Sequence, residues 1–423
     1  MNNIQYLGVA MHVRTGDPEM AREINRALIL HILRNHEAIT RAEIARRLKL
    51  SKVTVSAIIN DLLERGLVVE IGEGSAFEKG GRRPIMLSLN FSNHCVIGVD
   101  LGTTNTVAAI GDLKGKVCDK IRIPTSKNHS VENILGQIAY LIDEIIDKSG
   151  KQREEIVGIG LSVAGQVEKE SGHIIFSPHF NWHDVHIAKL VEEKTGIKTV
   201  ADNCTRVMAI GEMWFGEGKG VSNMLFVNLG HGIGSALVID GKIFNHHSEF
   251  GHIFITKKKL RCACGKYGCL EVVASGEAIE RQANQVLSGC ENEWITAKMV
   301  AERVKRGDAA AKKIYSEAGR YLGRGISILA NTINTEKIIL GGGISSAGEL
   351  LLKPVLKEFR KNVMEVIREN VEVCLSSLGM DAAVRGCIAM VLNDTIFNYE
   401  LVSRQAVRGR IFIEDNLKKV AGS

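Results

Sequence analysis

Two segments of this chain repeat one design, an apolar strand that feeds a glycine-rich loop and returns as a second strand. Val96 to Asp100 runs into Leu101-Gly102-Thr103-Thr104-Asn105 and resumes at Val107 to Ile110. Met224 to Leu229 runs into Gly230-His231-Gly232-Ile233-Gly234 and resumes at Ala236 to Ile239. The repeat predicts a duplicated domain with a cleft between its halves, because each hairpin can anchor one sheet. Loops of this kind wrap phosphate with backbone N–H groups and, at Thr103 and Thr104, hydroxyls. A third glycine turn, Gly341-Gly342-Gly343, follows the strand Lys337 to Leu340 and precedes a helix expected from about Ser346. Backbone approaches a nucleotide closely at such a turn, although leaving a strand tightly needs the same residues. An amphipathic helix from Val131 to Lys148, a buried strand from Ile156 to Ser162, and helices around 205–215, 308–334 and 381–394 fill the intervals. That alternation predicts an α/β module with mixed sheets.

Inserted after the second repeat is the pattern His252, Cys262, Cys264, Cys269, in which four ligand-type side chains fall within eighteen residues. One imidazole and three thiolates saturate a tetrahedral ion, so the pattern predicts a structural Zn2+. Gly265 and Gly268 supply the turns that close chelation needs. Glu249 precedes the His by three residues and Glu271 follows the last Cys by two, so the metal-pinned loop carries two carboxylates. Such acceptors suit a polyhydroxylated ligand.

The front of the chain has a different rhythm. From Ile24 apolar residues recur on one helical face to near Asn35. Thr40 is placed to cap a second, short helix, with Glu43 completing a capping box. Ser51 is placed to cap a third helix whose buried side is Val55, Ile58, Ile59, Leu62 and Leu63, ending at Gly66. Helix, short helix, turn and longer helix is the helix-turn-helix order. Strands expected at Leu67 to Ile71 and Ile85 to Leu89, with Gly80-Gly81 between them and Lys79, Arg82 and Arg83 near the tip, add a basic wing. Ser51, Lys52, Thr54 and Ser56 at the start of the third helix, with Arg82 and Arg83 of the wing, are the expected DNA contacts. Residues 1–90 hold 13 Lys or Arg against 10 Asp or Glu, a mild basic excess.

These readings divide the chain into an unassigned arm over 1–20, a winged helix-turn-helix over 21–90 and a two-lobed module over 91–423. No stretch is long and apolar enough to span a membrane, and no secretory signal pattern stands at the N-terminus. Nine cysteines, an odd number scattered without framework spacing outside the cluster, fit a reducing compartment, so a cytoplasmic location is expected.

Together the zinc pattern, Ser248-Glu249-Phe250-Gly251-His252, the Asp100-Leu101-Gly102-Thr103 turn, the 230–234 loop and the winged helix resemble the ROK family of repressors and sugar kinases. The resemblance implies an actin-like (ASKHA, ribonuclease H-like) fold of two lobes with a sugar held between them. For members with a winged helix it implies control of carbohydrate genes from a double-stranded DNA operator. Family kinases carry a Glu-Asn-Asp-Ala-Asn segment whose Asp is the general base; here it reads Asp202-Asn203-Cys204-Thr205-Arg206, and the spacing to Glu212 puts Cys204 in the base position. A thiol is a poor substitute, and losing a positioned base costs roughly 10² to 10⁴ in rate. Thr103 and His231 also depart from the family's phosphate loops, leaving Asp100, Gly102, Thr103, Gly230, Gly232, Gly234 and Gly342 as vestigial nucleotide loops. Asn203, Glu249, His252 and Glu271 match the family's sugar-binding positions, His252 serving metal and sugar through its two nitrogens. Ser162 to Gly165 and Asn181-Trp182 fall where the family lines its cleft, with plain core the alternative for Trp182. The expected protein is a regulator and not an enzyme, responding to a sugar or sugar-phosphate as a homodimer or a tetramer. An ATP-dependent sugar kinase with an attached DNA-binding domain is the alternative.

Overall fold

The computed structural model describes residues 18–74, 83–90, 94–244, 248–287 and 294–397. The described chain divides into two compact units, one holding residues 18–90 with 392–397 and the other 94–391. Among the described residues no helix is long and apolar enough to cross a membrane.

In the first unit, the helix Pro18–Asn35 buries Ile24, Ala27, Ile29, Leu30, Ile32 and Leu33. Thr40 caps Arg41–Leu48, its hydroxyl accepting the Glu43 N–H at 3.1 Å. The other half of the expected capping box does not form. Glu43 turns its carboxylate forward to Arg47, accepting from Nε at 3.0 Å and Nη2 at 2.6 Å, a charged partner one turn on in place of a backbone N–H. Lys49, at φ 53°, ends that helix in the left-handed region. Ser51 then caps Lys52–Glu64, which buries Val55, Ile58, Ile59 and Leu62, while Leu63 is only half-buried. The strand Ile85–Leu89 lies between Ile39–Thr40 and Val68–Glu73, antiparallel to both, with a bulge between Glu70 and Gly72. This is a helix-turn-helix with a wing. The wing's tip, with Lys79, Gly80, Gly81 and Arg82, lies outside the described residues.

The second unit contains two five-stranded sheets of one plan. In the first, the antiparallel run Cys95–Leu101, Asn105–Asp112 and Val117–Pro124 is extended on the side of its first strand by Ile156–Val163 and Thr199–Asn203, both parallel to it. In the second, Met224–Leu229, Ile233–Ile239 and Lys242–Ile243 form the antiparallel run, and Lys337–Gly341 and Glu372–Leu375 extend it in parallel. The sequence repeat is thus a repeat of sheets. Apolar alternation along Val131–Ser149 puts Ile134, Ile138, Leu141, Ile142 and Ile145 on one buried face, against the first sheet. Ala309–Thr332 covers the second sheet in the same way. The helix expected from Ser346 starts later, as Glu349–Asn362, because Gly343–Ala347 forms a 3₁₀ turn and Gly348 (φ 63°) breaks the path. Trp182 is core: it is buried against Phe180, and its indole N–H donates to the His129 carbonyl at 2.6 Å.

Candidate ligand cleft and metal cluster

Parallel pairing aligns the ends of three strands in the first sheet. Asp100 stands opposite Ser162, and Ser162 opposite Asp202. The carboxyl ends of parallel strands are where open α/β sheets bind ligands. Ser162 donates to Asp100 Oδ1 at 2.8 Å. Asp202 is fully buried and accepts from Arg206 Nε at 2.8 Å and from Arg206 Nη2, while Arg206 also donates to the Val167 carbonyl at 2.6 Å. This internal ion pair, part of the motif without an assigned role, fixes the strand-to-helix turn on which Asn203 and Cys204 sit.

Asn203 caps the helix Cys204–Phe215. Its amide oxygen accepts the Thr205 N–H at 2.9 Å and the Arg206 N–H at 3.3 Å, and its Nδ2 donates to the Gly165 carbonyl at 2.7 Å. One amide N–H is left for a ligand hydroxyl. Cys204 follows at the helix start, where burial, reinforced by the charge of Asp100, pushes its thiol up to about 11. A thiol of that acidity is protonated at neutral pH and cannot act as the base.

The two glycine loops are closed by their own neighbourhoods. Gly102 N–H donates to the Asn105 carbonyl at 3.1 Å, and Thr125 Oγ1 donates to the Gly102 carbonyl at 2.7 Å. In the second loop Ile233 N–H donates to Glu271 Oε2 at 2.9 Å, and a Cβ on Gly232 would sit 2.5 Å from that oxygen, so glycine is needed for the carboxylate to reach it. Gly342 (φ 86°) packs so closely on the end of Met224–Leu229 that a Cβ would lie 2.4 Å from Asn228 Oδ1. Tight exit from the strand therefore accounts for that glycine by itself. His231, at the loop tip, lies 3.7 Å from Glu277 and faces the ring of His179 at 6.3 Å. His179 has no sequence signal, because its neighbour comes from the other repeat.

His252, Cys262, Cys264 and Cys269 come together with their ligand atoms all within 4.8 Å of one another. Cys262 Sγ is 3.5 Å from His252 Nδ1, and Cys264 Sγ is 3.7 Å from Cys269 Sγ. Sulfurs bound at about 2.3 Å to a tetrahedral ion stand about 3.8 Å apart, so the spacing fits coordination, and it is far longer than a disulfide. Burial and the neighbouring thiols push Cys269 up to about 12, so holding it as a thiolate would take a bound cation. The other nitrogen of His252, Nε2, lies 3.9 Å from Glu249 Oε2. Glu271 spans the Cys/His cluster and the glycine loop, with Oε1 4.0 Å from Cys262 Sγ and Oε2 on Ile233.

In the winged helix, Ser51 and Thr54 hydroxyls hydrogen-bond each other at 2.8 Å, and Ser51 Oγ accepts the Thr54 N–H at 3.0 Å. Both are thus engaged in capping. Lys52 is exposed, Ser56 half-buried and Arg83 exposed, while Arg82 lies outside the described residues. Val53, overlooked because it is apolar, is 79% exposed on the same helix start.

A winged helix on the same chain as a duplicated actin-like fold with a Cys/His cluster defines a class that joins DNA reading to a sugar-kinase body. The chain belongs to the ROK family, whose model matches residues 96–394, and residues 23–75 match the MarR family. A putative xylose repressor of Caldicellulosiruptor sp. is 32% identical over 90% of this chain and 98% of its own length. The Escherichia coli DNA-binding transcriptional dual regulator NagC is 27% identical over 89% and 94%. A glucokinase of Halalkalibacterium halodurans is 35% identical but covers 70% of this chain and 94% of its own. Among solved structures, a ROK family transcriptional regulator homologous to the E. coli MLC protein superimposes with a TM-score of 0.79 at 25% identity, over 90% of this chain and 99% of the other. A ROK family glucokinase from Streptomyces griseus in complex with glucose and AMPPNP gives 0.63 at 29% identity, over 70% and 98%.

Proposed function

We propose that this protein is a DNA-binding transcriptional repressor of carbohydrate genes whose kinase-derived cleft senses a sugar without phosphorylating it. The observation that carries the reading is Cys204, a neutral thiol at the position of the family's base, in a chain with a winged helix. Residues 21–90 are the DNA-binding domain and 91–423 the effector and oligomerisation module, with 1–20 unassigned. Lys52, Ser56, Arg83 and Arg82 contact the operator, Ser51 and Thr54 adding to phosphate contacts from their capping positions. The cleft takes its sugar on Asn203, Glu249, His252 and Glu271. These groups suit vicinal hydroxyls, and a wrong epimer leaves a carboxylate unpaired.

The Cys/His cluster holds structural Zn2+ through His252, Cys262, Cys264 and Cys269. When bound, zinc neutralises the thiolates and fixes the loop that carries Glu249 and Glu271. A homodimer reads two half-sites, and sugar changes the balance between its DNA-competent and incompetent states, which requires unequal sugar affinity in the two. The protein acts in the cytoplasm.

A kinase reading has in its favour the similarity to glucokinases, in sequence over 310 residues and in structure. The two readings separate in a thermal-shift screen of free and phosphorylated sugars, with xylose and N-acetylglucosamine first because relatives carry those names, run beside an ATP-consumption assay. The repressor reading expects a sugar-dependent shift without sugar-dependent ATP loss. Steady turnover with any sugar would overturn it.

A further inference from the structure

A second group of metal-ligating side chains, distinct from the Cys/His cluster, lies in the first lobe. The strands His173–Ser177 and Trp182–Val185 pair antiparallel, with Ile174 opposite Val185. The same register carried one residue on sets His173 opposite His186, and the left-handed turn of the backbone at residue 184 leaves both Asp184 and His186 exposed. Gly172 (φ 61°) lets this edge close on the helix Ile187–Thr195, since a Cβ there would lie 2.4 Å from Ala188 Cβ. The two imidazoles stack with centroids 4.2 Å apart and planes 21° apart.

Asp184 completes the group. It holds φ 56°, a left-handed backbone within a strand, which side-chain-bearing residues adopt at some energetic cost and which is concentrated at functional positions. In that conformation Oδ1 stands 2.7 Å from His173 Nε2, yet the ring N–H is not aligned on it as a hydrogen bond would be. One ligand atom from each of His173, Asp184 and His186 falls within 4.8 Å of the others. Asp184 and His186 are exposed, so solvent can occupy the remaining coordination positions. Lys189 and Glu193, which line the adjoining pocket, pair with each other at 3.7 Å and leave the local charge to the Asp.

We propose that His173, Asp184 and His186 form a second metal site, open to solvent and selective for a late first-row divalent ion. Two imidazoles and one carboxylate with free positions suit Ni2+, Co2+ or Zn2+ and are too poor in oxygen for Ca2+ or Mg2+. Binding requires the His186 ring to leave its stacked position and converge on the ion, a rotation about an exposed side chain. The ion then joins strand edge and helix start.

The test is Ni2+ binding to the full-length protein by equilibrium dialysis, comparing wild type with His186→Ala and Asp184→Asn, each checked for native circular dichroism. His186 is exposed, and Asn tolerates the left-handed backbone, so both variants keep the core. Wild type is expected to bind one equivalent more than either variant, whatever the Cys cluster takes up in all three. Equal uptake by wild type and both variants overturns the proposal.

Discussion

Cys204 shows how surroundings set the chemistry of one side chain. With its thiol raised to about 11, only about a thousandth is thiolate at pH 8. Iodoacetamide is therefore expected to label it slowly in the native protein and rapidly after denaturation, read by mass spectrometry of the peptide. Rapid native labelling would mean an activated thiol and would remove the basis for calling the site inert. Ser51 and Lys52 divide in the same physical way. Ser51 Oγ holds the helix N-terminus, so Ser51→Ala is expected to cost about 1 kcal/mol of stability. Exposed Lys52 holds nothing in the fold, so Lys52→Ala leaves stability unchanged and weakens DNA binding at all sequences, with a salt slope lower by about one. Denaturant melts and salt-dependent binding titrations separate the two outcomes, and equal loss of stability in both would contradict this division.

At the scale of elements, the helix Pro18–Asn35 carries a titration switch on its packed face. His31 is half-buried as a residue, its Nε2 is sealed from solvent, and its ring lies 5.7 Å from that of Phe397. Burial first, and Arg34 second, lower its pKa to about 4. The unfolded chain takes up the proton near pH 6.5 and the folded one only near 4, so this contribution to stability is intact above pH 6.5 and falls as the pH drops between those values. The first unit is expected to lose about 2 kcal/mol at pH 5 relative to pH 7, and His31→Leu to remove most of that difference. A wild-type melt unchanged between the two pH values would contradict it.

Elements were legible in the sequence wherever their cause is local. Thr40 and Ser51 announce caps because a cap and its N–H are three residues apart, and the Cys/His cluster is legible because its ligands share one short loop. Contacts between distant segments were not. Glu43 had two acceptable donors and the sequence does not rank them. The pairing of Glu271 with Ile233, the stack of His173 on His186 and the left-handed Asp184 depend on strand register, which no short window encodes. The buried Asp202–Arg206 pair sits at helical spacing, yet nothing in the sequence distinguishes it from a solvent-exposed pair.

At the scale of the whole molecule, the proposed function makes metal, sugar and DNA binding depend on one another. Glu271 touches both the Cys cluster and the glycine loop, so metal and ligand are expected to be lost together. Cys269→Ser should cost one zinc equivalent by elemental analysis and abolish the sugar-dependent thermal shift; retained sugar binding without that zinc would separate the two. The most direct measurement is fluorescence anisotropy of a labelled operator duplex with wild-type protein while the sugar that stabilises it is titrated in, without ATP. A saturable change in operator affinity is expected at the same sugar concentrations that raise the melting temperature. Operator affinity that stays constant while the sugar demonstrably binds would contradict it.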